Sequence, residues 1–189
     1  MRVIGGQLRG RKLFRPPDRE IRPTADRLRE AVFNILGERV RDARVLDLFA
    51  GTGALAIEAL SRGAREAVLV DRSRAAVRLV QRNLAACGLA DRSRVIRWDI
   101  GRNLNCLSAW PRTFDLVFMD PPYGADILAP ALAALTGCGA LAPAALLVVE
   151  VGAGTRLTPP AGLQVERRRR YGGSEVVFLT TGDRRVPLE

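Results

Sequence analysis

The sequence predicts an α/β protein built on a mostly parallel β-sheet with helices on both faces. From Arg44 onward, short apolar segments of strand length alternate with segments of helical periodicity, and glycine-containing turns separate them. This alternation is typical of parallel strands joined by helical crossovers. A chain of 189 residues can bury a sizeable core as one domain.

The apolar pattern of the sequence predicts seven strands and three helices. The helices are predicted at 24–36, at 54–61, and after the capping residue Ser73 as far as Cys87. Five strands are predicted at 45–48, 67–71, 94–97, 114–119 and 145–151. The segments 163–166 and 176–180 are predicted to form a C-terminal antiparallel hairpin that completes the sheet.

The first twenty residues differ in composition from the rest of the chain. Arginine and lysine alternate there with glycine and proline, and Val3, Ile4, Leu8 and Leu13 flank the glycines. We expect a small basic β-hairpin appendage over residues 1–20, with a disordered basic tail as the alternative. Residues 21–189 are then the main domain.

Three features of the composition narrow the possible chemistry and the possible partners. The chain contains no histidine, so an imidazole base, a His-paired nucleophile and a His-bound metal are excluded. Cys87, Cys106 and Cys138 lack a CxxC spacing, which indicates reduced thiols and no metal site. A net charge of +10 favours a polyanionic partner such as RNA or DNA.

One uncharged stretch, residues 127–149, has the length of a membrane span. It contains Pro130, Gly137, Gly139 and Pro143 and is rich in alanine, so it indicates a helix, a turn and a buried strand instead. No signal peptide is recognisable at the N-terminus. We therefore expect a cytoplasmic protein without a membrane partner.

Four acidic residues fall at or just beyond the ends of the first four strands: Asp47, Asp71, Asp99 and Asp120. The carboxyl ends of parallel strands share one edge, where such sheets bind ligands. Between the first two acids, the segment 49–54 (FAGTGA) lets the backbone approach a ligand at a helix N-terminus. This loop also fits a dinucleotide fingerprint, but a carboxylate at Asp47 suits a cationic amine better than a pyrophosphate.

The tetrapeptide Asp120-Pro121-Pro122-Tyr123 directly follows an apolar strand. Proline cannot continue a central strand, so the chain must turn away there and leave carbonyl groups free. The Asp120 carboxylate and the Pro121 carbonyl can both accept hydrogen bonds from one amino group. Tyr123 offers an aromatic face to a base.

These motifs resemble the class I S-adenosylmethionine (AdoMet)-dependent methyltransferases that modify amino groups, and in particular the RsmD family of 16S rRNA guanine-N2 methyltransferases. The resemblance covers nearly the whole chain. It rests on the segments 2–12 (RVIGGQLRGRK), 22–30 (RPTADRLRE) with Phe33-Asn34, 46–55 (LDLFAGTGAL) with 58–64 (EALSRGA), and 120–123. It implies a Rossmann-like fold and methyl transfer from AdoMet, with S-adenosylhomocysteine as the product.

The resemblance also implies roles for individual residues. The methionine part of AdoMet would lie near Asp47, Phe49, Gly51 and Gly53. The ribose would lie at Asp71 and Arg72, and the adenine at Asp99 and Ile100. The catalytic residues would be Asp120, Pro121, Pro122 and Tyr123, and the RNA-binding residues would be Arg9, Arg11, Lys12, Arg22 and Arg27.

The implied partner is 16S rRNA within a 30S assembly intermediate, and the protein is expected to be a monomer. A DNA or RNA adenine-N6 methyltransferase with the same site is the main alternative. A catalytically silent RNA-binding or assembly protein is another, and a nicotinamide-dependent oxidoreductase is the least favoured. Two further basic groups stand out. Arg74, Arg78 and Arg82 are interpreted as a solvated helix face. The run Arg167 to Arg170 is interpreted either as RNA contacts or as protection of an edge strand.

Overall fold

The computed structural model describes residues 1–16, 23–108, 113–122 and 127–182, together forming one mixed sheet with helices on both faces. The helices are α1 (Pro23–Leu36), α2 (Ala54–Ser61), α3 (Arg74–Ala86) and α4 (Leu128–Gly137). The strands are β1 (Arg44–Leu48), β2 (Glu66–Asp71), β3 (Ser93–Arg97), β4 (Phe114–Met119), β5 (Leu141–Gly152), β6 (Gln164–Tyr171) and β7 (Ser174–Thr180). Short 3-10 turns at Gly37–Val40, Ala90–Arg92 and Asn105–Leu107 connect some of them.

The sheet has the order β3-β2-β1-β4-β5-β7-β6. The first five strands are parallel, and β7 runs antiparallel between β5 and β6. The predicted class, a mostly parallel seven-stranded α/β sheet with a C-terminal antiparallel hairpin, is confirmed. The order reverses between β1 and β4, which places the switch point of the sheet at the ends of these two strands.

Alternate residues of the strands face two separate apolar cores. On one face, side chains such as Val45, Leu69 and Phe118 pack against α1, α2 and α3. On the other face, Leu46, Val70 and others pack against α4 and the segment after β3. The central strands are apolar on both sides, as expected for a parallel sheet covered by helices on both faces.

Helix α3 shows how local sequence sets an element boundary. The Ser73 hydroxyl accepts a hydrogen bond from the Ala76 N–H, which confirms the predicted N-cap. The helix is followed by Cys87 and by Gly88, whose φ of +67° ends the helical conformation. The predicted start and end of this helix therefore agree with the structure.

Two strands extend well beyond the bounds that the sequence indicated, whereas the others differ by at most two residues. Strand β5 begins at Leu141 because that residue already pairs with Phe114 before a register shift. Strand β6 extends to Tyr171. Arg167 to Arg170, which the sequence placed after the strand, pair with β7 and belong to it. The hydrophobic pattern missed this part of β6 because an edge strand with one solvent-facing side accommodates charged residues.

The N-terminal segment, residues 1–16, folds back on itself and packs against the first face of the sheet. Arg2 and Lys12 form one antiparallel bridge, and the Val3 N–H donates to the Arg11 carbonyl at 3.0 Å. Val3 and Leu13 are buried in the core with α1 and α2. The antiparallel pairing predicted for this segment is thus limited to a single bridge, flanked by further backbone hydrogen bonds.

Candidate active site

Asp47 lies in β1, one residue before its end, and only 2% of it is exposed. Its Oδ2 accepts a hydrogen bond from the Ala56 N–H in the first turn of α2, at 3.3 Å. Burial raises the pKa of the Asp47 carboxyl from 3.8 to about 8, because desolvation penalises its charged form. The Ala56 hydrogen bond opposes this rise, and the nearby charges of Asp120 and Asp71 add to it; the value of about 8 is the net result.

The loop between β1 and α2 has the backbone shape that its glycines suggested. Gly51 and Gly53 have φ values of +56° and +76°, and Phe49 has +66°, which is unusual for a residue with a side chain. Gly53 N-caps α2 in this left-handed conformation and donates to the Ala50 carbonyl at 2.7 Å. The loop is therefore a tight turn leading into a helix N-terminus, a site that favours anionic and polar ligand groups.

Asp71 ends β2 beside this loop. One of its carboxylate oxygens accepts the Gly51 N–H at 2.9 Å, and the other accepts the Ser73 N–H at 2.8 Å. These bonds join the loop to the beginning of α3 and aim the carboxylate at the rim of the sheet. Arg72 follows with an exposed side chain, and its carbonyl accepts from the Arg97 side chain at 3.3 Å.

Asp99 and Ile100 follow β3 at the same edge of the sheet. The Asp99 Oδ1 accepts the Gly101 N–H at 3.1 Å, and Arg102 lies 3.7 Å from the other oxygen. Ile100 is buried in the second core, so its side chain is fixed next to the partly exposed carboxylate of Asp99. An apolar side chain beside a hydrogen-bond acceptor is an arrangement suited to a heterocycle that carries an amino group.

Asp120, Pro121 and Pro122 leave the sheet directly after β4, which lies between β1 and β5. Asp120 is exposed, Pro121 is buried and Pro122 is exposed. The chain turns away at the position where two prolines were expected to end the strand. Tyr123 and Arg22, both predicted from sequence as site residues, lie outside the described residues.

The structure brings three of the four predicted acids close enough to affect one another. Asp120 and Asp71 both act on the pKa of Asp47 through space, across the ends of β1, β2 and β4. Asp99 follows β3, the edge strand on the far side of β2. All four predicted acids therefore lie at the carboxyl edge of the parallel strands, and Asp71 and Asp120 are close enough to Asp47 to influence its pKa.

The predicted RNA-binding residues Arg9, Arg11 and Lys12 have exposed side chains in the N-terminal segment, and Arg27 is exposed on α1. Buried polar side chains of the main domain hold this segment in place. Glu58 accepts the Ile4 and Gly5 N–H groups at 2.8 and 2.7 Å. The Ser61 hydroxyl donates to the Gly5 carbonyl at 2.6 Å and accepts the Leu8 N–H at 2.9 Å.

Asn83 is a site residue that the sequence analysis missed. It is fully buried on α3, and its carboxamide bonds to both backbone groups of Phe14 and to the Thr52 carbonyl in the glycine loop. The available signal was an amide on the apolar face of the helix, between Val80 and Leu84. A buried amide needs several hydrogen-bond partners, but sequence alone does not say which.

An open depression of about 520 Å³ lies elsewhere, lined by Gly6, Phe33, Asn34, Gly37, Glu38 and Arg62. Gly37 and Glu38 precede β1, so this depression is at the opposite edge of the sheet from the acidic rim. The Arg62 guanidinium lies over the Phe33 ring, 5.0 Å from its centre. The depression is therefore separate from the predicted cofactor site.

In the described part of the chain, no helix has the length and apolar character to span a membrane.

The strand order with an antiparallel β7, the glycine turn after β1 and the Asp-Pro-Pro segment after β4 together define the class I methyltransferase fold. Residues 1–180 match the family described as conserved hypothetical protein 95. The chain therefore belongs to this family, the RsmD family that its motifs indicated.

Relatives and solved structures agree with this assignment. The chain is 39% identical over 173 residues to ribosomal RNA small subunit methyltransferase D of Escherichia coli strain K12, covering 91% of this chain and 85% of that protein. It is 31% identical over 173 residues to the protein of the same name from Haemophilus influenzae, covering 91% and 89%. The structure of the Escherichia coli protein yhhF superposes with a TM-score of 0.82 at 35% identity, covering 95% and 97%.

Proposed function

We propose that this protein transfers a methyl group from AdoMet to the exocyclic N2 of a guanine in 16S rRNA. The proposed target is the guanine at position 966 in a 30S assembly intermediate, as the resemblance to the RsmD family implies. One observation carries the amino-group chemistry: Asp120 and Pro121 leave a central strand beside a buried carboxyl group, at the switch point of a methyltransferase fold. The relatives named as small subunit rRNA methyltransferases supply the substrate class.

The residues at the rim fit AdoMet. Asp47 is a buried carboxyl group whose raised pKa shows that its negative charge lacks compensation. A cationic amine placed next to it would supply that compensation and favour the ionised form. Asp71 would hold the ribose hydroxyls together with Arg72, and Asp99 with Ile100 would bind the adenine. Phe49, Gly51 and Gly53 would shape the turn around the methionine part.

AdoMet supplies an electrophilic methyl group on a sulfonium. The protein must then hold the acceptor nitrogen in line with that methyl, and such alignment lowers a barrier by several kcal/mol, up to about 7–11 in favourable cases. The Asp120 carboxylate and the Pro121 carbonyl would accept hydrogen bonds from the two N–H groups of the substrate amino group. These hydrogen bonds would direct the nitrogen lone pair at the methyl without a strong base, which fits a chain that lacks histidine.

RNA binding is supported by charge and by surface position. The net charge of +10 gives the protein a field that attracts phosphates, and Arg9, Arg11, Lys12 and Arg27 present exposed cationic side chains. Tyr123 and Arg22 complete the proposed contacts, with Tyr123 stacking on the target base. We propose that the protein acts as a monomer and needs no metal ion.

The test is transfer of labelled methyl from AdoMet to 30S particles from cells lacking the gene, to deproteinised 16S rRNA and to duplex DNA. Nucleosides are then identified by mass spectrometry. We expect N2-methylguanosine at one site in the particles and no label in DNA. Label in N6-methyladenine would instead support the adenine-N6 alternative.

Asp120→Ala separates an enzyme from a silent binding protein. We expect methyl transfer to fall by about 10²–10³-fold, the loss typical when one preorganised polar group is removed from a reaction site. RNA and AdoMet affinities should change little, as measured by filter binding and calorimetry. Wild-type protein that binds AdoMet and RNA but labels no substrate would contradict the proposed activity.

A further inference from the structure

Phe14 is a large aromatic side chain held at the surface of the N-terminal segment. Its exposed fraction is 39%, and among the described residues only Val165 is a comparably exposed large hydrophobic residue. The guanidinium of Arg82, on α3, lies over the Phe14 ring at 3.5 Å from its centre. The pair is therefore a close cation–π contact between an aromatic ring and a guanidinium, and part of its surface is open to solvent.

The backbone of Phe14 is fixed by a buried side chain. Its N–H donates to the Asn83 Oδ1 at 2.7 Å, and its carbonyl accepts from the Asn83 Nδ2 at 3.1 Å. Asn83 is fully buried, so the position of Phe14 is determined by the main domain. A ring held in advance costs little conformational entropy when a ligand stacks on it.

The same amide connects Phe14 to the cofactor loop. The Asn83 Nδ2 also donates to the Thr52 carbonyl at 2.9 Å, and Thr52 lies between Gly51 and Gly53. Gly53 approaches α3 as well, because a Cβ there would be 3.4 Å from Val80. The stack is thus anchored to the turn that precedes α2, on the side of the protein where the acidic rim lies.

The surroundings of the stack are cationic. Arg9, Arg11 and Lys12 belong to the same segment, and Arg78 lies one turn before Arg82 on α3, all with exposed side chains. An exposed aromatic ring among cationic side chains is the combination that binds single-stranded nucleic acid, since bases stack on rings and phosphates pair with cations. A helical apolar partner would require a continuous apolar surface, which one ring does not provide.

We propose that Phe14 and Arg82 form a stacking platform for an unpaired base of the RNA that flanks the target nucleotide. This rests on the proposed RNA substrate and adds a specific contact to it. The platform positions the strand relative to the cofactor loop through Asn83. Phe14 and Arg82 are positioning residues, because neither is placed at the reacting atoms.

Phe14→Ala and Phe14→Leu test the stacking contribution. We expect Phe14→Ala to weaken binding of substrate RNA by roughly 5- to 150-fold, the range for loss of one base-stacking aromatic. Phe14→Leu should lose most of this affinity as well, since it keeps apolar bulk but no aromatic face. The slope of affinity against salt should stay unchanged, because Phe14 carries no charge. The matched control is Val165→Ala, which removes the other exposed hydrophobic side chain from the far strand β6.

A double-mutant cycle tests the pair itself. Arg82→Ala should weaken binding and lower the salt slope by at most about one phosphate contact. Phe14→Ala with Arg82→Ala should be non-additive, whereas Phe14→Ala with Arg78→Ala should be additive, because among the described residues it is the Arg82 guanidinium that lies over the ring. Unfolding curves of each variant check that the fold is retained.

If a folded Phe14→Ala protein binds RNA as tightly as wild type, the proposed stacking platform is wrong. The proposed methyl transfer would not be contradicted by that result. A change in stability without a change in RNA affinity would show that the stack only packs the N-terminal segment. Loss of AdoMet affinity equal to the loss of RNA affinity would overturn the assignment to RNA. Failure of the wild-type protein to bind or methylate RNA would contradict both this inference and the proposed function.

Discussion

Asp47 is a buried carboxyl group whose ionised form is destabilised in the protein without a bound ligand. Its pKa in the folded protein is about 8, against 3.8 for an unperturbed side chain. Between these two values the folded state keeps a proton that the unfolded state releases. Stability is therefore greatest below pH 3.8 as far as this group is concerned, and it falls as pH rises towards about 8.

Asp47→Asn removes this titration and should change the pH dependence of stability. At about pH 8 the variant should unfold at a higher temperature than wild type, and the difference should shrink towards about pH 4. Each pH unit between these limits corresponds to at most about 1.4 kcal/mol. Thermal unfolding of both proteins across this range measures the effect. A difference that is constant with pH would contradict it, because all other titrating groups are shared.

Gly53 is required for two reasons, its φ of +76° and its close approach to β2 and α3. A Cβ there would be 3.2 Å from Leu69 Cδ2, tighter than ordinary packing. We expect Gly53→Ala to lower the free energy of unfolding by about 1–2 kcal/mol from the left-handed backbone alone, with a further loss from this contact. It should also weaken AdoMet binding, as measured by calorimetry.

Gly37→Ala is the matched control for the backbone term. Gly37 has a φ of +50°, but an added Cβ would meet nothing within 4 Å. It should lose stability through backbone strain only and keep its AdoMet affinity. Equal AdoMet affinities in the two variants would show that AdoMet binding does not depend on a glycine at position 53.

At the scale of elements, Glu58 on α2 attaches the N-terminal segment to the main domain. Its carboxylate is 1% exposed, accepts two backbone N–H groups, and pairs with Arg62 at 2.8 Å and Arg29 at 3.7 Å. Glu58→Ala would leave the Ile4 and Gly5 N–H groups without this acceptor, whereas Arg29 keeps its pair with Asp26, and we expect a loss of about 1–3 kcal/mol in the free energy of unfolding for each unsatisfied N–H. Urea denaturation measures it.

Glu58→Gln keeps the shape and one acceptor oxygen, so it should cost less than the alanine variant. Hydrogen exchange at Ile4 and Gly5 should accelerate in both variants, because these N–H groups lose a charged acceptor. Glu38→Ala is the control, since the Glu38 side chain is 91% exposed in its pair with Arg41. A large loss of stability in that control would indicate a general sensitivity to removing acids.

The sequence predicted the regular elements well where apolar periodicity was strong. Helix α2 and strand β4 have the predicted bounds, and the Ser73 cap is present. Periodicity failed along β6, where the four arginines are compatible with an edge strand but carry no strand signal. It also missed the early start of β5, which depends on a register shift between partners distant in the chain.

The positions of the four acidic residues of the candidate site also follow from the sequence. Strand ends and glycine patterns located Asp47, Asp71, Asp99 and Asp120, because the carboxyl edge of a parallel sheet follows from topology. The attachment of Phe14 to Thr52 through Asn83 could not be predicted, since it joins three segments that are adjacent only in the fold. The rise in the Asp47 pKa likewise could not be predicted, because it depends on how the folded chain packs around this side chain.

For the whole molecule, the excess of positive charge should appear as a strong salt dependence of RNA binding. Replacing Arg9, Arg11 and Lys12 by alanine should lower the slope of log affinity against log salt by about 2–3, at roughly 0.7–0.9 for each phosphate contact. The control replaces Arg41, Arg65 and Arg156, which are also exposed and reduce the net charge equally. Equal slopes for the two triple variants would show that charge acts only through the overall field.

The position of β7 between β5 and β6 has a consequence for truncated chains. Strand β5 precedes β7 in the chain, and its outer edge pairs with β7. A chain that ends before Ser174 therefore leaves the apolar strand β5 with open backbone groups on that side. Such an edge promotes intermolecular pairing. Chains truncated before β7 should aggregate after release from the ribosome, and chains that extend beyond Thr180 should not.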